Sequence, residues 1–281
     1  MKERRSSRML YWLMVGIFLI FSLGPLLWTV ILTLTPEKEV LAATPHLLPS
    51  QIDFSNYQLV LDPHSSAHET VMRGLGNSLK MALVTVILAL PIAVASAYVF
   101  VRQDFRGRKF VLYFLLFTIV IPVFTTIIPL YAMFAERGWL DQSFWVAIVY
   151  VSAFLPVTTW MVQSYFRAIP KELWEAARTD GCTEWQAFTK VILPNAKPIL
   201  ITAFLMLVLM SWSQYQIPMI LTSSQETKLM TLVMSEFMTR DSIHYGLVAT
   251  AGVFAIVPPA LLALVFRRHL ISGLMAGAVK G

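Results

Sequence analysis

The chain has 281 residues, of which 57% are AVILMFWYC and 14% are Asp, Glu, Lys or Arg, against roughly 45–50% apolar and about a quarter charged in ordinary soluble domains. That balance excludes a soluble enzyme of average composition, and 18 Phe, 14 Met and 8 Trp beside only 12 Gly exclude collagen-like and disordered classes. The single cysteine, Cys182, excludes an internal disulfide framework and a cysteine cluster for zinc or iron–sulfur, while the net charge of +6 fits either nucleic acid or membrane loops until its carriers are located.

A hydrocarbon core about 30 Å thick takes roughly 20 apolar residues of helix. Six stretches of that length lack Asp, Glu, Lys, Arg and His: 9–35, 81–101, 110–135, 143–166, 199–224 and 246–266. They are apolar nearly all round rather than striped. The sequence therefore predicts an all-α polytopic membrane protein, with six transmembrane helices in a single domain over 1–281. The first stretch follows basic residues and precedes Ala42 and Ala43, but it far exceeds the roughly 7–15 residues of a signal h-region and reads as a retained anchor. Sixteen of the 22 Lys and Arg lie in the N-terminal segment, the 102–109 loop, the 167–198 loop and the 267–281 tail. The positive-inside rule places these segments and both termini in the cytoplasm, and leaves 36–76 periplasmic. Basic residues spread over four short segments form no stripe with stacking aromatics, so nucleic acid is excluded as a partner.

The spans hold no ionisable group that could carry a coupling proton, and no internal repeat is visible, which makes a self-sufficient secondary transporter the weaker alternative. They do hold Pro25, Pro91, Pro122, Pro129, Pro156, Pro218, Pro258 and Pro259, each a site of a lost backbone donor. In 36–76, His64 and His68 are four apart, yet Pro63 and the neighbouring serines predict a turn; these two and His46 are read as part of a solvated loop, with no metal. Cys182 has no catalytic context and is read as packing. Neither H-E-x-x-H nor G-x-x-x-x-G-K-[ST] occurs, so no enzyme, ATPase or bound cofactor is expected of this chain itself.

The 167–198 loop, RAIPKELWEAARTDGCTEWQAFTKVILPNAKP, is too long for a plain connection. Pro170 opens a helix over 171–180, and Gly181 suits a left-handed C-terminal cap. Thr183 and Gln186 have capping-box spacing and start a second short helix that Pro194 is expected to end. Trp174, Trp185, Phe188 and Leu193 carry more apolar surface than so small an element can bury. It must pack on its own bundle, on the bilayer interface, or on a partner protein.

The run EAARTDG (175–181), nine further residues and then Val191-Ile192-Leu193-Pro194 resemble the EAA motif of permease subunits in binding-protein-dependent ABC importers. Glu175, Ala176, Ala177, Gly181, Leu193 and Pro194 match, and Val191 replaces the usual Ile. The likeness covers essentially the whole chain and narrows to the carbohydrate-uptake branch, particularly the smaller permease of maltose-type transporters. It is carried by LLPSQIDFSNYQLVL (47–61), GNSLKMAL (76–83), IPLYAMFAERGWLDQ (128–142), IPKELWEAARTDG (169–181) and SGLMAGAVKG (272–281). FRRHLI (266–271) departs from the usual aromatic–Gln–Arg–aromatic pattern. The resemblance implies a type I ABC importer permease (MetI-like) fold in a bacterial or archaeal inner membrane. It implies a second homologous permease as heterodimer partner, a dimer of ATP-binding subunits that hold ATP and Mg, and an extracytoplasmic solute-binding protein. It makes 167–198 the coupling loop, with Glu172, Glu175, Ala176, Ala177, Asp180, Gly181, Leu193 and Pro194 at the ATPase, and Gly277 and Lys280 of the tail reaching toward the same subunit. A sugar or oligosaccharide is the implied substrate, with a glycerol-phosphate-type solute as the alternative.

The most polar run within a span is SWSQYQ (211–216), about 18–26 Å along a helix from residue 199 at ~1.5 Å per residue. Trp212, Ser213, Gln214, Tyr215 and Gln216 combine aromatic faces with neutral hydrogen-bonding groups, which suits a neutral sugar. Polar contact with the partner permease is the other reading.

Overall fold

The computed structural model describes residues 2–42, 47–238 and 243–278, with side chains described for 8–42, 47–238 and 243–268. His46 and Lys280, named above, lie outside the described residues. In chain order the helices are α1 (Lys2–Thr33), α2 (Glu37–Val40), α3 (Ser55–Leu61), α4 (Ser66–Arg102) and α5 (Arg108–Phe117). After a 3-10 turn at Thr118–Val120 come α6 (Val123–Glu136), α7 (Ser143–Ala168), α8 (Lys171–Thr179) and α9 (Glu184–Ala187). A π turn at Phe188–Ile192 leads to α10 (Leu193–Asn195), α11 (Lys197–Trp212), α12 (Gln216–Leu221), α13 (Met230–Glu236) and α14 (Tyr245–Ala278). Among the described residues the only extended pairing is one isolated bridge, Met238 with Ile243.

Four helical segments are long and apolar enough to cross a membrane: Arg8–Thr33, Ser66–Arg102, Ser143–Ala168 and Tyr245–Arg268. The other two expected spans are not continuous helices. The third bends by 92° between Val120 and Val123, and the fifth is preceded by a 77° bend between Asn195 and Lys197, so six crossings result only if each bent pair counts as one. At the first break Pro122 offers no N–H and drives Ile121 to an extended ψ of 117°. The expected fifth span also breaks after Trp212, where α11 ends, and helix resumes at Gln216. There Pro218 leaves the Gln214 carbonyl without its helical donor; the Thr231 hydroxyl donates to that oxygen instead, at 3.0 Å. Pro25, Pro91, Pro156, Pro258 and Pro259 stay inside their helices.

The chain packs as two units. One comprises residues 1–73 and 233–257. In it α1 exposes apolar side chains around its whole circumference, Phe18, Ile20 and Phe21 among them. The end of α1 is pinned: the Asn56 amide donates to the Thr33 carbonyl at 3.3 Å, and the Thr33 hydroxyl lies 3.0 Å from the Tyr57 hydroxyl. The Glu37 carboxylate accepts from the backbone N–H groups of Tyr245 and Gly246, at 3.0 and 3.3 Å, supplying two of the orphan donors at the start of α14. His64 lies in the expected turn, while His68 lies in the first helical turn of α4 with Nδ1 2.9 Å from the Val60 carbonyl. Segment 36–76 is thus more helical than a solvated loop, containing α2, α3 and the start of α4.

The second unit comprises residues 74–232 and 258–281. Along α4, Ala82, Ala89, Ala93 and Ala97 are fully buried, and such small residues let helix backbones approach closely. Two apolar clusters follow one another along the helices. The first joins Met81 and Val86 of α4, Tyr150 and Phe154 of α7, and Leu207 of α11 with Ile217 and Leu221 of α12. The second joins Ala97 and Tyr98, Val162 and Phe166, Ile199 and Ala203 with Phe188 and Ile192 of the π turn. The long loop is therefore seated directly on the second cluster.

Asp141, just before α7, sits in the left-handed region with φ of 59°. Its carboxylate accepts the Ser223 and Ser224 backbone N–H groups at 2.7 and 2.8 Å and the Ser223 and Thr227 hydroxyls at 2.8 and 2.7 Å. The Asn77 amide donates to the carbonyls of Glu226 and Lys228, and the Met230 N–H donates to the Ser78 hydroxyl. These bonds fix the 222–229 connection to α4 and to the α6–α7 turn. Partial burial works to raise the Asp141 pKa, and the donors from Ser224, Thr227 and Ser223 outweigh it, holding the group down at about 2.

Two consequences are measurable in thermal melts of the purified protein. A depressed carboxylate pKa stabilises the fold fully above the unfolded value and ceases to do so as pH falls through about 2, so Asp141→Asn should lower Tm by about 2–4 °C at neutral pH. The gap between variant and wild type should shrink progressively below pH 4. A Cβ at Gly246 would lie 2.3 Å from Nδ2 of buried Asn56, whereas at Gly252 the nearest atom, Met234 Sδ, is 3.8 Å away. Gly246→Ala should therefore cost about 1–3 kcal/mol, while Gly252→Ala, in a helix interior, should hold or raise Tm.

Candidate functional site

The 171–195 segment forms the helix–Gly–helix element that its sequence predicts, built on two local devices. Gly181 has φ of 84°, its N–H bonds the Arg178 carbonyl at 3.1 Å, and the Cys182 N–H bonds the Ala177 carbonyl at 3.0 Å. This is the paired bonding of a Schellman cap, and it requires the left-handed residue at Gly181. The Arg178 guanidinium closes the turn by donating to the Cys182 carbonyl at 2.7 Å. Two residues later the Gln186 N–H donates to the Thr183 hydroxyl at 3.2 Å, and the Thr183 N–H donates to the Gln186 side-chain oxygen at 2.9 Å, a complete capping box.

The second helix does not end at Pro194 as expected. A π turn at Phe188–Ile192, in which the Leu193 N–H reaches the Phe188 carbonyl, carries the helix through Pro194 to Asn195. Widening the ladder just before proline lets the chain continue without the missing donor. The bend comes after Asn195 instead.

The element has two faces. Ala177, Ala187, Phe188 and Ile192 are buried, and Leu193 packs partly against the second cluster. Glu172, Leu173, Glu175, Ala176, Asp180, Gly181, Trp185 and Pro194 are exposed, with Trp185 at 71%. Of the adjacent pair, Ala176 is thus exposed and Ala177, about 100° round the helix, is buried. One oxygen of Glu184 ties the element down: Oε1 accepts from the Tyr98 hydroxyl of α4 and from Trp174 Nε1 of α8, the latter at 3.2 Å. The Arg102 guanidinium lies over the Trp174 ring, 4.0 Å from its centre.

The SWSQYQ run falls at the break between α11 and α12. Trp212 is buried at 9% exposure, Ser213 and Tyr215 are exposed, and Gln214 and Gln216 are half-buried. The Gln214 side-chain oxygen accepts from the Tyr215 and Gln216 N–H groups at 3.1 and 3.2 Å, capping α12. Its carbonyl oxygen is thereby committed to the backbone rather than open to a ligand. Sequence reading missed a further set: Thr85 Oγ1, Tyr150 Oη, Thr159 Oγ1, Gln163 Nε2 and Ser211 Oγ are buried without a hydrogen-bond partner among the described residues. Their only sequence signal is a polar side chain inside an apolar stretch, and such groups seek partners across helices or in a water-filled path. Of the tail candidates, Gly277 lies in the last turns of α14, and Lys280 is beyond the described residues.

A family model described as binding-protein-dependent transport system inner membrane component matches residues 87–275. The chain is 29% identical over 281 residues to the trehalose transport system permease protein SugB of Mycobacterium tuberculosis, covering 98% of this chain and 99% of that one. It is 30% identical over 278 residues to the maltose/maltodextrin transport system permease protein MalG of Yersinia pestis, covering 94% and 90%. Among solved structures, a bacterial ABC transporter involved in the import of the acidic polysaccharide alginate shares the fold, with a TM-score of 0.77 at 23% identity over 95% of this chain and 98% of that one. This chain belongs to the family of binding-protein-dependent transport system inner membrane components, the membrane-spanning permease subunits of such importers.

Proposed function

We propose that the chain forms one half of the translocation path for a sugar or oligosaccharide in an ATP-driven importer, and that the 171–195 element docks a separate ATP-hydrolysing subunit. The observation that carries the docking reading is the division of that element into a buried and an exposed face. A rigidly mounted surface of Glu172, Leu173, Glu175, Ala176 and Trp185 combines carboxylates with apolar side chains and has no covering segment among the described residues. ATP and Mg belong to the docked subunits, which close on nucleotide and push on this face. The push passes through Glu184 to Tyr98 on α4, and through the 77° bend into α11. The α11–α12 break around Gln214 is the place where that displacement changes the path.

The substrate class rests on the trehalose and maltose relatives and on the neutral chemistry of Trp212, Ser213, Gln214, Tyr215 and Gln216. A second homologous permease supplies the other half of the path, and a solute-binding protein delivers the sugar at the opposite side of the membrane; a solved complex of the alginate transporter with its ligand-bound periplasmic protein supports this arrangement. The excess of Lys and Arg on the N-terminal, 102–109, 167–198 and 267–281 segments supports the reading that both termini lie in the cytoplasm of a bacterial or archaeal cell.

Co-purification with candidate ATPase and binding-protein subunits, followed by sugar-stimulated ATP hydrolysis in liposomes, tests the whole reading; a complex that forms but gives no stimulation by any sugar removes the substrate class. Gly181→Val strains the left-handed turn by about 1–2 kcal/mol although a Cβ there meets nothing within 4 Å, about a decade in a two-state equilibrium. It should cut uptake about ten-fold while ATP hydrolysis continues, and wild-type uptake at equal membrane level would refute the turn's role in coupling. Tyr215→Ala should raise the half-saturating sugar concentration for uptake and leave assembly intact. Unchanged uptake kinetics would remove Tyr215 from the path.

A further inference from the structure

A pocket of about 210 Å³ opens where the ends of α4 and α7 meet the start of α8. Arg102, Arg108, Arg167 and Lys171 line it with apolar walls that include Phe100 and Ile169, and no carboxylate lines it. Arg108 is already paired with Asp104 at 2.6 Å. Arg102, Arg167 and Lys171 form no ion pair among the described residues.

The state of Arg102 is the most specific feature. One face of its guanidinium is covered by Trp174, while Nε and Nη2 are buried without a hydrogen-bond partner. Those two N–H groups lie on the same edge of the guanidinium and point in parallel, which is the geometry that grips two oxygens of one anion. A charged donor pair buried without a partner is costly, and stacking on an aromatic ring leaves the in-plane donors unsatisfied.

We propose that this pocket binds the phosphate of an anionic lipid headgroup: the Arg102 side chain, whose paired Nε and Nη2 edge is closed to water before binding, turns that edge to the phosphate as a bidentate fork, and Arg167 and Lys171 complete the charge. Inorganic phosphate has the same oxygen chemistry, but three observations favour the lipid. The pocket sits where the uncharged stretches of α4 and α7 end, the level of a membrane interface. Its walls are apolar between the cations. From Arg108, α5 runs away with Phe110 and Phe114 exposed and stacked 6.2 Å apart, a surface suited to an acyl chain. Basic pockets between transmembrane helices on the cytoplasmic side recognise lipid headgroups in this way. Since Lys171 opens α8, one bound phosphate joins α4, α7 and α8.

Native mass spectrometry of the purified full-length protein, offered phosphatidylglycerol or phosphatidylcholine of equal chain length, tests the proposal. Wild type should retain phosphatidylglycerol roughly ten-fold better, Arg102→Gln should lose that preference, and Arg106→Gln, outside the pocket, should keep it. Arg102→Lys, which keeps the charge without the fork, should fall between. If Arg102→Gln fails to fold, the Arg167→Gln/Lys171→Gln double variant serves the same purpose and should show a reduced preference. A folded pocket variant that retains full preference overturns the site. Arg102-dependent binding of inorganic phosphate with no preference between the lipids overturns the lipid as its source. Release of phosphatidylglycerol on assembly with the ATPase subunit, with no lipid in the complex, would assign the fork to a partner carboxylate and overturn the proposal likewise.

Discussion

Backbone N–H and C=O groups that enter an apolar layer must find partners within the protein, because no water competes for them there. That constraint governs where this chain can bend. Hydroxyls inside the apolar helices fold back on carbonyls one turn earlier, as Thr158 does to Phe154 and Thr250 to Gly246. At Pro218 a side chain from elsewhere stands in for the lost donor: Thr231 covers the Gln214 carbonyl, and Gln214 in turn serves the N–H groups of Tyr215 and Gln216; at Pro122 the Ile121 N–H reaches the Thr118 carbonyl instead, at 3.3 Å. The break between α11 and α12 is thus specified by Pro218, Thr231 and Gln214 rather than by loose chain.

The same accounting explains the rigidity of the 171–195 element. Its Gly181 turn and its Thr183–Gln186 box satisfy the ends of two short helices that would be marginal in isolation. The second apolar cluster supplies the burial that those helices lack on their own, through Ala177, Ala187, Phe188 and Ile192. Glu184 then joins α4, α8 and α9 at a single oxygen. The exposed face is thereby mounted on α4 by a hydrogen bond and on α11 by packing against Ile199 and Ala203.

Much of this was legible in the residues. Uncharged runs located the helices, Gly181 marked a left-handed cap, and Thr183 with Gln186 marked a helix start, because each depends on chemistry within a few positions. What escaped depends on distant neighbours. The Asp141 cluster joins residues some eighty positions apart; nothing local in the run Leu-Asp-Gln announces it. The different burial of Ala176 and Ala177 follows from helix phase and from which side the bundle occupies. Pro122 and Pro218 read the same as Pro91 and Pro156 in sequence, yet only the former pair lie at breaks, since tertiary packing decides whether a proline kinks a helix or interrupts it.

The π turn at Phe188–Ile192 has a bearing on the spacing of the long loop's motif. Relative to an α-helix it accommodates one additional residue, which rotates everything beyond it by about 100°. The nine residues between Gly181 and Val191 therefore act as a phase setting: they let Trp185 face outward while Phe188 and Ile192 face the bundle. A single deletion there would shorten the chain by little but turn one face of the element toward the other's environment, so the interval is fixed by angle more than by length.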